Sequence, residues 1–186
     1  MRTLRLLRPD AWRGAPPSHA DAQFGTLHPW LTSRGSLTAR LIAHIAHVGQ
    51  FNLVRLQQRA QLPNIDERRG LGLRDRELAI VREVLLRDGD SPLVFAHSLI
   101  ARRDLQGAWR GLSRLGARPL AEMLFHDHAV TRLPMEYKKL DARHPLYRRA
   151  QQVAAFEAHA VWARRSVFLK QGRPLLVTEV FLDAMR

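Results

Sequence analysis

Hydrophobic and polar positions alternate along several stretches of the chain, and this alternation predicts strands. The stretches are QFNLVRLQQRAQL at 50–62, ELAIVREVLL at 77–86, SPLVFAHSLI at 91–100, AVTRLPMEYKKL at 129–140, WARRSVFLK at 162–170 and GRPLLVTEVFL at 172–182. Turn residues at RDGDSP and at Lys170–Pro174 join two pairs of these strands into hairpins. Pro134 interrupts the fourth stretch and indicates a bulge or a sheet edge there.

Helical spacing replaces the alternation in two other regions. A helix is predicted between a cap at Ser36 and a stop at Gly49. Its apolar face consists of Leu37, Leu41, Ile45 and Val48. A second helix is predicted to end at Gly116. Its apolar face consists of Leu105, Ala108, Leu112 and Leu115.

The remaining segments complete an α+β pattern. Pro119 is well placed to start a short helix, and residues 141–160 indicate a polar loop that runs into another one. Residues 63–72, PNIDERRGLG, are interpreted as a polar connection. Because most strands follow one another as hairpins and the helices are inserted as blocks, we predict a single domain with an antiparallel sheet of about six strands.

The first 25 residues differ from the rest. They are basic, contain several prolines and glycines, and lack the continuous apolar segment of a signal peptide. We expect a loosely ordered N-terminal arm over residues 1–25 and one domain over residues 26–186. No apolar run approaches the ~20 residues that span a bilayer, and the absence of cysteine fits a reducing compartment. A cytoplasmic protein without a transmembrane segment is therefore expected.

Charge raises the question of a polyanionic partner. Thirty Lys and Arg residues against 17 Asp and Glu give a formal net charge of +13. The basic residues are dispersed rather than clustered, aromatic residues make up only 7%, and no nucleic-acid-binding signature is present. We expect no specific binding of DNA or RNA, although non-specific attraction at low salt is compatible with the charge.

Two charges lie on apolar strand faces. Arg82 shares its face with Ile80 and Val84, and Glu179 shares its face with Val177 and Phe181. A buried charge without a partner costs several kcal/mol, so each needs a counter-ion or a ligand. Two interpretations remain open from the residues alone. The two side chains pair with each other or are partly solvated, or they line a dry pocket for a small polar aromatic molecule.

Around these charges the sequence resembles the chorismate lyase family. The resemblance runs from about Trp30 to Leu182 and depends on five segments in the right order. They are SLT at 36–38, REVLL at 82–86, LGARPLAEMLF at 115–125, WARRS at 162–166 and GRPLLVTEVFL at 172–182. Members of that family split chorismate into 4-hydroxybenzoate and pyruvate, the first step toward ubiquinone.

The resemblance implies a fold and a set of site residues. The fold is an antiparallel sheet with helical flaps over a buried ligand site, without a metal or an organic cofactor. Arg82 is implied to bind the ring carboxylate, assisted by backbone N–H groups at Leu37 and Leu120, and Glu179 is implied to meet the phenolic oxygen. A second cation for the enolpyruvyl carboxylate is expected, with Arg164 and Arg165 as candidates. Whether Glu179 moves a proton or only positions the ring stays open.

The sequence also departs from the family. Ala121 stands where glycine is frequent, Asp183 follows Leu182 where proline is usual, and His97 stands where some members carry Arg. The segment from 135 to 158 is longer than expected. None of these departures removes a ligand-binding residue, and His97 and the longer segment are the ones that bear on the flap and the route of ligand exit.

Other functions are weighed against this one. A non-enzymatic module that binds small aromatic acids on the same fold is the alternative, since related folds form effector domains of transcription regulators. Those regulators carry an N-terminal DNA-binding domain, for which the arm is too short. Histidines at 126 and 128 or at 44 and 47 are weak zinc candidates, and no metal site is predicted. A monomer is favoured.

Overall fold

The computed structural model describes residues 11–16, 25–45, 49–182 and 185 of the 186. Within that part of the chain, seven strands form one antiparallel sheet: β1 Phe51–Gln61, β2 Ala79–Asp88, β3 Ser91–Ala101, β4 Val130–Arg132, β5 Glu136–Asp141, β6 Ala160–Lys170 and β7 Arg173–Phe181. The helices are α1 His28–Leu31, α2 Leu37–Ile45, α3 Ile65–Leu71, α4 Leu120–Phe125 and α5 Pro145–Val153, with two 3-10 turns at Arg102–Leu105 and Arg110–Arg114. The predicted α+β class is confirmed.

The sheet has seven strands rather than about six because one predicted strand is divided. Its order is β1-β2-β3-β7-β6, and both β4 and β5 pair with β6. Pro134 lies between β4 and β5 and has no N–H to donate to a strand ladder, so the stretch 129–140 cannot continue as one strand. The two predicted hairpins are confirmed as β2–β3 and β6–β7.

Helices cover both faces of the sheet. On the face called the front here, α1 and α2 pack against Val84, Leu86 and Phe181, and α4 with the 3-10 turns packs against Ile80, Ile100 and Leu175. On the back, α3 packs against Val81, Leu99 and Leu176, and α5 packs against Leu85, Phe95 and Val180. These two sets alternate along β2 and β7 as the sequence pattern predicts.

Helix α2 matches its predicted start. The Ser36 Oγ accepts a hydrogen bond from the Ala39 N–H at 3.1 Å, and Leu37, Leu41 and Ile45 are buried. The Gly49 N–H donates to the Ile45 carbonyl at 2.8 Å. Val48 of the predicted face lies outside the described residues.

Helix α3 replaces the polar connection that we predicted. Asn64 and Glu67 form a capping box, in which the Asn64 side chain accepts from the Glu67 N–H and the Glu67 carboxylate accepts from the Asn64 N–H. Gly72 ends the helix at φ 61°, a conformation that favours glycine. The Asn-x-x-Glu spacing and this glycine were readable signals of a helix.

The predicted helix with Leu105 to Leu115 on one face is wrong, because this region forms two 3-10 turns. Gly107 and Gly111 weaken a continuous helix. Trp109 lies between the turns with its side chain fully buried, and its indole Nε1 donates to the Arg173 carbonyl at 3.0 Å. Gly116 still ends the segment, at φ 59°.

Part of the predicted N-terminal arm contacts the sheet. Arg13 pairs with Tyr137 of β5 through backbone hydrogen bonds of 3.0 and 2.8 Å. Residues 1–10 and 17–24 of the arm lie outside the described residues, so the expectation that the arm is loosely ordered stays a prediction. No helix among the described residues is long and apolar enough to span a membrane.

Candidate functional site

A cavity of about 50 Å³ lies between the front of the sheet and helices α2 and α4. Two rows of side chains form its floor, and each row crosses β2, β3, β7 and β6 in register. The rows are Arg82, Ser98, Val177 and Ser166, and Val84, Ala96, Glu179 and Arg164. Because Ala96 and Ser98 are small, they leave space between the larger side chains on either side.

The roof comes from the first residues of two helices. Leu37 begins α2 and is 2% exposed, and Leu120 begins α4 and is 9% exposed. Both line the cavity. Apolar side chains at these positions exclude water from the charged floor, and this raises the strength of electrostatic contacts inside.

Arg82 is a buried cation without a carboxylate partner among the described residues. Its Nη2 donates to the Arg118 carbonyl at 2.8 Å and to the Gly116 carbonyl at 3.3 Å. Its Nε is buried, and no described residue accepts a hydrogen bond from it. Burial, with a smaller repulsion from Arg55, lowers the pKa of Arg82 to about 10. Neutral carbonyls do not balance the charge, so an anion in the cavity would stabilise this arginine.

Glu179 pairs with Arg164 across neighbouring strands. The Arg164 Nε donates to the Glu179 Oε2 at 2.5 Å, and the two side chains are 1% and 17% exposed. The Arg164 Nη1 also donates to the carbonyls of Trp30, Leu31 and Ser33. The interpretation in which Arg82 and Glu179 pair with each other is therefore wrong.

Arg132 is a third cation of the cavity, and the sequence did not single it out. It ends β4 opposite Phe168 of β6, and its guanidinium carbon lies 5.3 Å from the Phe168 ring centroid. Its Nε donates to the Ser166 Oγ at 3.0 Å, and its Nη1 donates to the Arg34 carbonyl at 2.6 Å. Burial lowers the pKa of Arg132, Glu179 raises it, and Arg164 lowers it further.

Among the described residues, the charged side chains that line the cavity are therefore Arg82, Arg132, Arg164 and Glu179. Three guanidinium groups against one carboxylate give the lining a net charge of +2. Such an excess in a mostly apolar enclosure is costly without anions, because buried charges need counter-charges. The arrangement suits a small ligand that carries two negative charges and one hydroxyl.

Comparison with known sequences assigns the family. Residues 15–186 match the profile of the family described as chorismate lyase. A probable chorismate pyruvate-lyase of Nitrosomonas europaea is 44% identical over 183 residues, which cover 98% of this chain and 99% of that protein. A probable chorismate pyruvate-lyase of Thiobacillus denitrificans is 46% identical over 167 residues, with 90% and 88% covered.

The chain belongs to the chorismate lyase family. It is thus a lyase, as the resemblance predicted.

Solved structures with a similar fold come from transcription regulators. The C-terminal domain of PhnF aligns with a TM-score of 0.57 at 14% identity, covering 74% of this chain and 86% of that one. The ligand-binding domain of a putative GntR-family regulator from Bordetella bronchiseptica aligns with a TM-score of 0.52 at 18% identity, covering 73% and 84%. At these identities the likeness concerns the fold alone, and it agrees with the predicted architecture.

The four site residues that the resemblance to chorismate lyases predicted, Leu37, Arg82, Leu120 and Glu179, all line this cavity. Of the two candidate second cations, Arg164 lines it as well. Arg165 does not, because it pairs with Glu136 at 2.7 Å and stacks over Trp12.

His97 lies on the back of the sheet, away from the cavity. Its Nε2 lies 3.1 Å from the Glu67 Oε1 and its Nδ1 lies 3.1 Å from the Glu83 Oε1. Arg149 of α5 contacts the Glu83 Oε2 at 2.7 Å. Burial alone would lower the pKa of His97, but the two carboxylates raise this pKa to about 9. Burial alone would raise the pKa of Glu83, but His97 and Arg149 lower this pKa to about 2.

The other departures also have places in the structure. The long segment 135–158 forms β5 and α5, which brings Arg149 to the buried Glu83. Ala121 lines the cavity, and Asp183 lies outside the described residues. The zinc candidates do not form a cluster, since no group of three or more His, Asp or Glu side chains among the described residues is arranged to hold a metal. Of these histidines, His47 is not described.

Proposed function

We propose that this protein eliminates pyruvate from chorismate and releases 4-hydroxybenzoate. The observation that carries the proposal is the net charge of +2 on the lining of a buried cavity, contributed by Arg82, Arg132, Arg164 and Glu179. Chorismate has two carboxylates and one hydroxyl, and it matches this set in charge. The names of the relatives support the same substrate.

Arg82 binds the ring carboxylate in this proposal. Its Nε has no protein acceptor among the described residues, and the planar guanidinium suits a carboxylate. The first N–H groups of a helix have no intrahelical acceptor, so those at Leu37 and Leu120 are available to the same carboxylate.

Glu179 accepts a hydrogen bond from the C4 hydroxyl. It lies two strands from Arg82 in the sheet order, a separation of about 10 Å at the usual strand spacing. An aromatic ring with a carboxylate at one end and an oxygen at the other is comparable in length to this separation, and the cavity of about 50 Å³ must widen to admit it. The site thus holds chorismate in one orientation, which is a large part of catalysis in a unimolecular reaction.

The elimination breaks the C4–H bond and the C3–O bond of chorismate. The ring becomes aromatic, the ether oxygen becomes the keto oxygen of pyruvate, and the C4 hydrogen is transferred to the enolpyruvyl methylene carbon. The enolpyruvyl group and this hydrogen are on the same ring face, so the transfer needs no protein base. The Glu179 carboxylate is held in place by the buried Arg164 Nε at 2.5 Å and can accept from the C4 hydroxyl as well. We therefore assign Glu179 to positioning of the ring, not to proton abstraction.

The product would supply the aromatic ring of ubiquinone, and the absence of cysteine is consistent with a cytoplasmic enzyme. Purified protein incubated with chorismate should form 4-hydroxybenzoate and pyruvate in equal amounts without added metal. Absorbance of the aromatic product and a coupled assay for pyruvate measure the two. Folded protein that binds 4-hydroxybenzoate without turning over chorismate would contradict the proposal and favour a binding module.

A further inference from the structure

Arg164 has donors that the described protein leaves unused. Its Nε donates to Glu179 and its Nη1 donates to three backbone carbonyls, but its Nη2 is buried without an acceptor among the described residues. The whole side chain is 1% exposed and lines the cavity. A buried donor on a charged group is destabilising when it has no acceptor, so the Arg164 Nη2 is available to an acceptor on a ligand.

Arg132 lies on the same side of the cavity as Arg164. Its Nε is held by Ser166, and its guanidinium is stacked near Phe125 and Phe168. Burial is the main cause of the lowered pKa of Arg132, Glu179 opposes it, and repulsion from Arg164 adds to the lowering. An anion that contacts both guanidinium groups would relieve that repulsion.

We propose that Arg132 and Arg164 bind the second carboxylate of a dianionic ligand, the carboxylate of the enolpyruvyl group of chorismate. This inference rests on the proposed function, and it names two residues that would select chorismate over monoanionic aromatic acids.

The positions of the substituents on the ring support the assignment. The ether oxygen at C3 is adjacent to the hydroxyl at C4, and the ring carboxylate at C1 is opposite that hydroxyl. When Glu179 accepts a hydrogen bond from the hydroxyl, the enolpyruvyl group at the adjacent carbon must project from the ring beside Glu179. Arg164 is the direct cross-strand neighbour of Glu179, whereas Arg82 lies two strands away.

The two arginines also hold the segment that leads into α2. Arg164 donates to carbonyls of Trp30, Leu31 and Ser33, and Arg132 donates to the carbonyl of Arg34. A substitution could therefore loosen the roof of the cavity as well as remove a ligand contact. The test must separate these effects, and it should use Arg132, because Arg164 is fully buried and its removal threatens folding.

Two stable ligands distinguish loosening of the roof from loss of the contact with the second carboxylate. One is 3-[(1-carboxyvinyl)oxy]-4-hydroxybenzoate, which is already aromatic and has both carboxylates. The other is 3-(isopropenyloxy)-4-hydroxybenzoate, in which a methyl group replaces the second carboxylate. Both need the same closed roof, so only loss of a specific contact changes the ratio of their dissociation constants.

Calorimetry on the wild type should show that the dianion binds about 10- to 100-fold more tightly than the monoanion, as one charge-assisted contact supplies. Arg132→Met should remove most of this ratio and raise the KM for chorismate. Arg132→Lys should restore part of it. Arg165→Met, the matched control on a β6 arginine that does not line the cavity, should leave the ratio unchanged.

Each outcome supports or overturns the subsite formed by Arg132 and Arg164. Equal weakening of both ligands in Arg132→Met, or no weakening, would overturn the subsite. Turnover of chorismate by wild type with no dianion preference would overturn the subsite while the proposed function stands. A dianion preference that depends on Arg132, without turnover, would support the subsite and overturn the proposed function.

Discussion

Replacing Glu179 by Gln removes one negative charge from the cavity and keeps an oxygen to which Arg164 can donate. The Arg164 Nε–Glu179 Oε2 contact is 2.5 Å long, and Arg164 is 1% exposed. Loss of a carboxylate from a hydrogen bond to a charged group costs about 1.5–3 kcal/mol. For a chain of this length, that corresponds to a fall in Tm of about 3–12 °C.

The effect on turnover distinguishes the two roles of Glu179. If Glu179 only positions the ring, the Gln oxygen still accepts from the C4 hydroxyl, and the rate of a single turnover should fall less than about tenfold, below the range of general base catalysis. Single-turnover measurement is necessary because product release limits the steady state of many enzymes with a closing roof. A loss of a thousandfold or more, with affinity for 4-hydroxybenzoate unchanged, would refute the positioning role.

Glu136→Gln is the matched control for this experiment. Glu136 pairs with Arg165 at 2.7 Å on neighbouring strands, but it is 40% exposed and does not line the cavity. The same chemical change should cost less than ~1 kcal/mol there and leave turnover unaffected. If Glu136→Gln lowered the Tm as much as Glu179→Gln, burial of the Glu179–Arg164 pair would not explain its strength.

Three further predictions follow from the same contacts. Arg82→Met should weaken 4-hydroxybenzoate binding by about 2–5 kcal/mol in calorimetry, whereas Arg55→Met, an exposed arginine of β1, should change it little; equal effects would mean that Arg82 makes no direct contact. At one hundred times its dissociation constant, 4-hydroxybenzoate should raise the Tm by about 5–10 °C, benzoate less and 4-hydroxybenzyl alcohol least; equal shifts would contradict the site. The folded pKa of His97, about 9, exceeds its ordinary 6.5, so its stabilisation is complete below pH 6.5 and lost as the pH rises through 9. Urea unfolding should show the free energy of unfolding falling by on the order of 3 kcal/mol over that range, and a His97→Gln variant with the same fall would refute the assignment.

Strand alternation was enough to single out two charged residues of the cavity, one in β2 and one in β7. Arg82 and Glu179 break an apolar pattern of period two, and the sheet places both on the front face. The sequence could not reveal the hydrogen-bond partners of these two side chains, because those partners depend on the register between strands that are distant in the chain. Glu179 meets Arg164 only because β6 pairs with β7 in the register that aligns them.

Arg132 shows the limit of pattern reading more clearly. Strand β4 has three residues, too few for alternation to define a face. Its direction follows from pairing with Phe168 of β6, and the register shifts by one residue around Pro134 before β5 pairs with the same strand. Helix α3, by contrast, was missed although its capping box was present in the sequence.

The alternation along β2 places opposite charges on opposite sides of the sheet. Glu83 faces the back, where His97 and Arg149 satisfy its carboxylate within the protein. Arg82, the residue before it, faces the cavity, and its acceptors among the described residues are carbonyl oxygens. The back of the sheet thus neutralises its buried charges internally, and the front leaves an excess of positive charge. A protein selected for stability alone would balance both faces, since an uncompensated buried charge is destabilising. The front therefore carries a cost in stability that binding of an anionic substrate would offset, and this asymmetry is the physical signature of the site.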